Sequence, residues 1–193
     1  MLTNTFQHIP GIGEKTEQLL WNSGVTSWDR LDVLENARDA GLSSSLAYRI
    51  KQYIPYSWDA LRSNNPGFFA GTLVPNLWWR LFPHFRGSIA YLDIETTGLS
   101  PIYNDITSIA VYDGEQVSTY VYGNNLEDFL SDIGSYSVLV TFNGKRFDIP
   151  FIEQQFSTRL DQVHIDLMFV LRSLGYSGGL KRCEKLLGLD REE

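Results

Sequence analysis

Two carboxylates, Asp93 and Glu95, stand one residue apart in the largely apolar segment IAYLDIETTGLSP of residues 89–101. Alternate side chains of a strand point to the same face, so these two project together while Leu92 and Ile94 enter the opposite layer. Two carboxylates this close either share a proton or are neutralised by a cation, and such oxygen-rich clusters suit Mg²⁺ or Mn²⁺. The alternative is a strand end that emerges into water, because short acidic motifs are frequent by chance.

A third acid, Asp148, follows the apolar segment SVLVTFNG of residues 137–144. The segment predicts a buried strand that ends in a turn, and Asp148 stands at the head of the next helix, which Pro150 helps to start. Taken alone, Asp148 is an ordinary acid at a helix N-terminus, where the helix dipole stabilises it by roughly 0.3 kcal/mol. Taken with the first two carboxylates, it completes a set of three acids at the ends of separate elements.

These stretches together resemble the leading motifs of the ribonuclease-H-like DEDD exonuclease superfamily. The resemblance is carried by LDIETTGL, LVTFNGKRFDIPFI and HIDL, and it covers roughly residues 66–190. It is closest to a group of prokaryotic ribonuclease-H-like exonuclease domains. It implies an α/β fold with a mixed sheet and flanking helices, and 3′→5′ hydrolysis of phosphodiester bonds in DNA or RNA.

In that superfamily the acidic groups bind two divalent metal ions that activate a water and stabilise the leaving 3′ oxygen. The resemblance implies that Asp93 bridges two Mg²⁺ or Mn²⁺ ions, that Glu95 binds the ion holding the water, and that Asp148 binds the other. It also implies a set of residues beside the nucleotide, for which plain turn chemistry is the alternative. These residues are Thr96, Thr97, Gly98 and Asn143.

The superfamily pattern includes a fourth carboxylate on a late helix, in a His-x4-Asp or Tyr-x3-Asp arrangement that this sequence lacks. Asp166 follows His164 at the wrong spacing, so both are expected as outer groups near the metal pocket, with a solvated strand end as the alternative for Asp166. We therefore expect a C-terminally truncated domain with weakened metal binding. The alternative function is a catalytically weakened or inactive nucleic-acid-binding or scaffold protein.

The elements that must position these acids are predicted from the surrounding patterns. Residues 87–193 predict the ribonuclease-H-like domain, in which strands at 88–95, 105–112 and 117–122 form an antiparallel meander. Helices and strands then alternate, so the pattern predicts a mixed sheet with helices on its faces. Residues 55–86 are rich in aromatic side chains and predict a packed connector rather than a flexible linker.

Residues 1–54 predict a small all-α module of roughly four short helices. Its segment FQHIPGIGEKTEQLL resembles a helix-hairpin-helix, whose turn exposes backbone N–H groups that hold a phosphate without reading base identity. The residues that would contact the phosphate are Gly11, Gly13 and Lys15. A helix turn packed on the partner domain, or a hairpin that binds a protein, is the alternative.

Composition limits the partners and the location. A net charge of −7 rules out a broad basic surface, so a polyanion must be held by local groups or by metal ions. The single cysteine cannot form an internal disulfide, the three histidines are too dispersed for a zinc site, and no apolar run is long enough to cross a bilayer. We expect a cytoplasmic protein that binds single-stranded nucleic acid or a 3′ end and no membrane.

Overall fold

The structure, a computed structural model, describes residues 1–36 and 42–189. It divides into two compact units, Met1–Phe85 and Arg86–Glu193. The described part of the first unit contains helices and no strand, whereas the second unit contains a five-stranded sheet. Within the described residues, no helix has both the length and the apolar character needed to span a membrane.

Helices of the first unit enclose a core dominated by aromatic side chains. Trp28 is 2% exposed, its ring stacks on Phe69 with a centroid distance of 5.9 Å, and its indole Nε1 donates to the carbonyl of Thr5 at 2.7 Å. The α-helices are α1 (Glu14–Asn22), α2 (Ser44–Arg62) and α3 (Pro66–Ala70), and the 3₁₀ helices are Leu2–Asn4, Leu31–Asn36 and Pro75–Leu81.

Helix α2 begins at a side-chain cap and continues through a proline. The Ser43 hydroxyl accepts the amide of Leu46, which satisfies one of the free N–H groups at the start of the helix. Pro55 lies inside α2, so the helix runs across residue 54, where the sequence placed the end of the helical module. The first unit therefore includes both the predicted helical module and the segment predicted as a connector.

Packing explains why the helix continues past Pro55. A proline inside a helix removes one hydrogen bond and normally ends or kinks the helix. The side chains buried on one face of α2 follow a helical spacing on both sides of the proline. The burial of this face therefore outweighs the loss of one backbone hydrogen bond. These buried residues are Ala47, Ile50, Ile54, Ser57 and Ala60.

Two buried polar side chains of the first unit have hydrogen-bond partners. The Glu17 carboxylate is 1% exposed and accepts the Phe6 amide at 2.7 Å and the Gln7 side chain at 2.6 Å. His8 is 0% exposed, and its Nε2 lies 2.8 Å from the Ser57 hydroxyl. Burial among aromatic rings lowers the pKa of His8 to about 3, so this side chain is neutral in the folded protein.

The second unit contains a mixed sheet with strand order β3-β2-β1-β4-β5. The first three strands form an antiparallel meander, and β4 and β5 add parallel to β1 and to each other. The predicted meander and mixed sheet are therefore confirmed. The strands are β1 (Ile89–Thr96), β2 (Ile106–Tyr112), β3 (Val117–Val121), β4 (Val138–Thr141) and β5 (Val163–Asp166).

One face of this sheet forms the core of the second unit. Leu92 and Ile94 of β1 pack there with Ile109 of β2 and with Phe151 and Ile152 of the helix that follows β4. The α-helices of the unit are α4 (Phe129–Ile133), α5 (Asp148–Gln155), α6 (Leu167–Ser173) and α7 (Leu180–Leu186), and the 3₁₀ helices are Arg86–Ser88 and Leu126–Asp128. The architecture is a mixed α/β sheet with flanking helices, as the sequence predicted.

Helix α7 buries the single cysteine of the chain. Cys183 is 2% exposed, and its thiol Sγ lies 3.9 Å from the Gly178 carbonyl oxygen. The side chain therefore behaves as a small apolar group within the second unit, as expected for a cysteine without a sulfur partner.

Candidate active site

Strand β1 presents Asp93 and Glu95 on the sheet face opposite the core. Both side chains are exposed, whereas Leu92 and Ile94 between and beside them are buried. The pairing of β1 with β2 shifts register between Glu95 and Thr96, which indicates a bulge at the carboxyl end of the strand. The period-2 pattern of the sequence therefore places both carboxylates on one face, as predicted.

Helix α5 places Asp148 against the same strand. Asp148 is the first residue of the helix and only 3% exposed. Phe151 and Ile152 bury the following turn in the core, so the start of the helix is held against the sheet. A hydrogen bond from the Ile94 backbone to the Asp148 carboxyl group connects the helix start directly to β1.

Burial and neighbouring charges make Asp148 difficult to ionise. Burial is the main cause that raises its pKa to about 7; the charges of Asp93 and Asp166 add to the rise, and backbone hydrogen bonds act against it. The pKa of Asp93 is also raised, first because the surface of the strand shields this exposed side chain partly from water and then because of the charge of Glu95. The carboxylates are thus close enough to affect one another, and a proton or a cation is needed to relieve the repulsion.

No cationic side chain in the described part of the chain forms an ion pair with these carboxylates. Asp93, Glu95 and Asp148 form no ion pair with any residue that the structure describes. Across residues 1–36 and 42–189, no three His, Cys, Asp or Glu side chains converge closely enough to hold a metal ion in their present rotamers. The donor set is made of carboxylate oxygens, which fit Mg²⁺ or Mn²⁺, and the two exposed side chains on β1 have room to turn.

Asp166 and His164 hold the loop that leads to Asp148. The Asp166 carboxylate is 6% exposed and accepts backbone amides of that loop, so the alternative of a solvated strand end is wrong. His164 lies two residues earlier on β5, and its Nε2 is 2.9 Å from the hydroxyl of Thr141. Burial lowers the pKa of His164, with the charge of Asp166 acting in the opposite direction.

The turn after β1 is held by its own hydrogen bonds. Thr96 Oγ1 donates to the Gly98 carbonyl at 2.5 Å, and the Thr97 hydroxyl accepts the Asp105 amide at 3.0 Å. A Cβ on Gly98 would lie 2.6 Å from the amide group of Asn104, so the absence of a side chain there has a structural reason. Turn chemistry therefore accounts for these residues, and their contact with a nucleotide stays a prediction.

Asn143 occupies a backbone conformation that few residues adopt. Its φ is +66°, in the left-handed region that asparagine tolerates better than most residues. Its amide N–H is bonded to Asp166, whereas its side-chain amide bonds to no described residue. The side chain is thus available for the predicted contact with a nucleic acid strand.

The predicted phosphate-binding turn lies before α1. Gly11 has φ +82°, and a side chain there would collide with the guanidinium of Arg49. Gly13 caps α1, and Lys15 is exposed in the first turn. The segment before Gly11 forms the 3₁₀ helix at Leu2–Asn4 and turns rather than an α-helix, so the helix-hairpin-helix stays a prediction.

Two residues of the site were missed in the sequence. Thr141 ends an apolar strand, and its hydroxyl accepts the Gly144 amide at 3.1 Å. Lys145 is exposed, and its charge is close enough to lower the pKa of His164. The sequence signal that could have identified them is a polar residue, Thr141, at the end of an apolar strand, followed by the basic pair Lys145 and Arg146.

A cavity of ≈ 370 Å³ opens beside Asp93 within the second unit. It lies on the sheet face that carries the carboxylates, and its walls are mainly apolar and aromatic. A flat apolar group of a ligand fits walls of this kind. The main lining residues are Tyr91, Asp93, Tyr112, Val117, Leu167 and Leu180.

Comparison with known proteins identifies the second unit. The model of the RNase H superfamily matches residues 90–193. Among solved structures, the family B DNA polymerase of Pyrobaculum calidifontis is 14% identical, with a TM-score of 0.41, over 53% of this chain and 18% of that chain. Brucella melitensis NrnC is 20% identical, with a TM-score of 0.43, over 58% of each chain.

Two further structures of NrnC are also similar to this chain. NrnC bound to pGG has a TM-score of 0.44 and 20% identity over 58% of each chain. NrnC with bound Mg²⁺ has a TM-score of 0.43 and 20% identity over 57% of this chain and 59% of that chain. The chain thus spans less than two thirds of the length of these relatives, and no curated protein matches it.

Proposed function

The chain belongs to the RNase H superfamily, and on that premise we propose that it is a metal-dependent DEDD-type nuclease that shortens nucleic acid in the 3′→5′ direction in the cytoplasm. The observation that carries the proposal is the buried Asp148 carboxyl group beside Asp93, with no protein cation to neutralise either within the described residues. An uncompensated buried acid costs stability, and a metal-ion site gives a reason for it.

The three carboxylates have separate roles in the proposal. Asp93 would bridge two Mg²⁺ or Mn²⁺ ions, Glu95 would bind one of them and Asp148 the other. When bound, the ions supply an activated water and stabilise the charge on the leaving oxygen. Because Asp93 and Glu95 are exposed, their side chains can turn toward the fixed Asp148 carboxyl group.

The protonation of Asp148 controls the site. A metal ligand must be deprotonated, so a proton on this carboxyl group competes with the ion. With a pKa of about 7, Asp148 is partly protonated at neutral pH in the metal-free protein. Metal binding therefore releases a proton, and it becomes stronger as pH rises toward 8.

The nucleic acid would enter beside Asp93. The apolar cavity of ≈ 370 Å³ would take the terminal base, with Tyr91 and Tyr112 as its aromatic walls. The backbone from Thr96 to Gly98 and the free amide of Asn143 would contact the sugar and phosphate. In the first unit, the turn before α1 would hold a phosphate through Gly11, Gly13 and Lys15.

A labelled-oligonucleotide assay tests the proposed function. The full chain is incubated with single-stranded DNA or RNA carrying a label at the 5′ end or at the 3′ end, with Mn²⁺, Mg²⁺ or EDTA. We expect stepwise shortening from the 3′ end that requires a divalent ion and that Asp93→Asn abolishes. Shortening that persists in EDTA, or that Asp93→Asn leaves unchanged, would contradict the proposal.

A nucleic-acid-binding protein without catalysis is the second candidate. It is favoured by the lack, in the described residues, of three acidic or imidazole groups already arranged around a common point. In that case the labelled strand is retained by the protein with and without Mn²⁺ and is never shortened. The same assay, read by gel shift as well as by product length, therefore separates the two functions.

A further inference from the structure

Asp166 is a buried carboxylate at the carboxyl end of β5. Its Oδ1 accepts the amide of Asn143 at 2.8 Å and that of Met168 at 3.0 Å, and its Oδ2 accepts the amide of Lys145 at 3.1 Å. The parallel pairing of β4 with β5 sets Thr141 opposite Asp166, so this carboxylate lies where the loop after β4 begins. It forms no ion pair with any described residue.

A second set of contacts ties the same loop to β4 and β5. The hydroxyl of Thr141 accepts the Gly144 amide at 3.1 Å and lies 2.9 Å from Nε2 of His164. A Cβ on Gly144 would collide with the Thr141 side chain, so the loop can approach this closely only with glycine there. Consecutive amides of Asn143, Gly144 and Lys145 are therefore all bonded to side chains of the two strands.

The held loop continues directly into the start of α5. The Arg146 amide donates to the carbonyl of Asn143 at 3.1 Å, and the Ile149 amide donates to the carbonyl of Gly144 at 2.9 Å. Asp148 lies between these bonded positions. A shift of the backbone at Asn143 or Gly144 is therefore transmitted to the Asp148 carboxyl group within one turn of chain.

We infer that Asp166 is a positioning residue, which holds the loop of residues 142–147 so that Asn143 and Asp148 face the substrate, and not a metal ligand. The inference rests on the proposed nuclease function. The Asp166 carboxylate has about four lone-pair sites, and three of them already accept backbone amides, so little capacity is left for a metal ion. A buried carboxylate filled by amide donors instead fixes geometry, and partners of this kind are worth about 10- to 100-fold in activity or metal affinity.

Two variants of Asp166 test the inference in the full chain. Asp166→Ala removes three hydrogen bonds, whereas Asp166→Asn keeps an oxygen for Asn143 and Met168 and loses the bond from Lys145. We expect faster amide hydrogen exchange at Asn143 and Lys145, a kcat lowered about 10- to 100-fold in Asp166→Ala, and a smaller loss in Asp166→Asn. KM for the oligonucleotide should change less than kcat.

Asp113→Ala is the matched control, because Asp113 accepts the amides of Glu115 and Gln116 in the β2–β3 turn. We expect it to speed exchange at its own turn and to leave kcat unchanged. Unchanged exchange at Asn143 and Lys145 in both Asp166 variants, or faster exchange with unchanged kcat, overturns the inference.

The role of Asp166 can still be tested if the chain proves not to be a nuclease. If the parent chain shortens no oligonucleotide, the affinity for Mn²⁺, measured by electron paramagnetic resonance, replaces kcat as the second readout. A tenfold or larger weakening of Mn²⁺ binding together with faster loop exchange supports the positioning role of Asp166. Unchanged Mn²⁺ affinity in both variants overturns it.

Discussion

The two units each bury a carboxylate almost completely, but they treat it differently. Glu17 in the first unit is 1% exposed and is surrounded by donors from Thr5, Phe6 and Gln7. Asp148 in the second unit is 3% exposed and lies close enough to Asp93 and Asp166 to feel their charges, and its pKa is raised to about 7, chiefly by burial. Buried carboxylates with matching donors stabilise a fold, whereas one beside like charges destabilises it until something binds.

The difference shows that unfavourable repulsion between carboxylates is found in the second unit. In the first unit the buried Glu17 carboxylate is paired with three donors, which favours the folded state. In the second unit the carboxylates of β1 and α5 repel one another, as expected at a functional site where stability is given up for binding. Removing Glu17 should therefore lower the stability of the fold, whereas removing the charge of Asp148 should raise it.

Removal of Asp148 should have the largest effect on function. We expect Asp148→Ala to reduce nuclease activity about 1000-fold or more, equivalent to about 4 kcal/mol, because a fixed metal ligand is lost. The rate of shortening of a labelled oligonucleotide in Mn²⁺ gives the measurement. Asp161→Ala, which removes an exposed acid of the same unit, should retain full activity. Activity in Asp148→Ala close to that of the control would refute the assigned role.

Removal of Glu17 should have the largest effect on stability. We expect Glu17→Ala to lower the free energy of unfolding by roughly 3 kcal/mol, since three donors lose a charged acceptor and two of them are buried. Urea denaturation followed by tryptophan fluorescence provides the measurement. The control is Glu14→Ala, which removes an exposed acid of the same helix turn and should change stability by less than about 0.5 kcal/mol.

Acid should destabilise the first unit through His8. The folded protein holds this side chain neutral with a pKa of about 3, whereas the unfolded chain binds a proton near pH 6.5. Stability is therefore fully present above pH 6.5 and is lost as pH falls toward 3. We expect a loss of about 2 kcal/mol between pH 8 and pH 5 from this group.

His8→Gln isolates this contribution, because Gln can still bond to Ser57 but does not titrate. His84 and His164, whose pKa values burial also lowers, are unchanged in the variant. Urea denaturation at several pH values should show a shallower slope for His8→Gln than for the parent chain. Equal slopes would mean that His8 does not control the acid sensitivity.

A pH effect of opposite sign is expected at Asp148 in the metal-free protein. The folded chain keeps a proton on Asp148 up to pH about 7, while the unfolded chain loses it near 3.8. Stability from this proton is present below pH 3.8 and is lost as pH rises through about 7. In EDTA we expect the stability of Asp148→Asn relative to the parent to increase as pH rises from 4 to 8. A decrease over this range would show that the buried carboxylate is compensated.

Local sequence patterns predicted most of the second unit. The alternation in β1 placed Asp93 and Glu95 on one face, and the turn at Asp113-Gly114 gave the hairpin between β2 and β3. The apolar run of β4 is fully buried, as its composition indicated. Each of these features depends on neighbours in sequence, which is why the pattern was sufficient.

Features that depend on tertiary packing were not predictable from such patterns. The change to an aromatic-rich composition after residue 54 placed a boundary there, but the buried face of α2 continues the helix past Pro55. The contacts of Asp166 arise from the parallel register between β4 and β5, which no local pattern encodes. The pairing of Glu17 with the segment before α1 likewise joins residues 10 to 12 positions apart.

The burial of the only thiol has a practical use. Cys183 is 2% exposed, so a maleimide dye should react slowly with the native chain. A cysteine introduced at the exposed position of Ser45 in one unit and another at Glu115 in the other would then carry a fluorophore pair with little background. Energy transfer between the two dyes would report the distance between the units in solution.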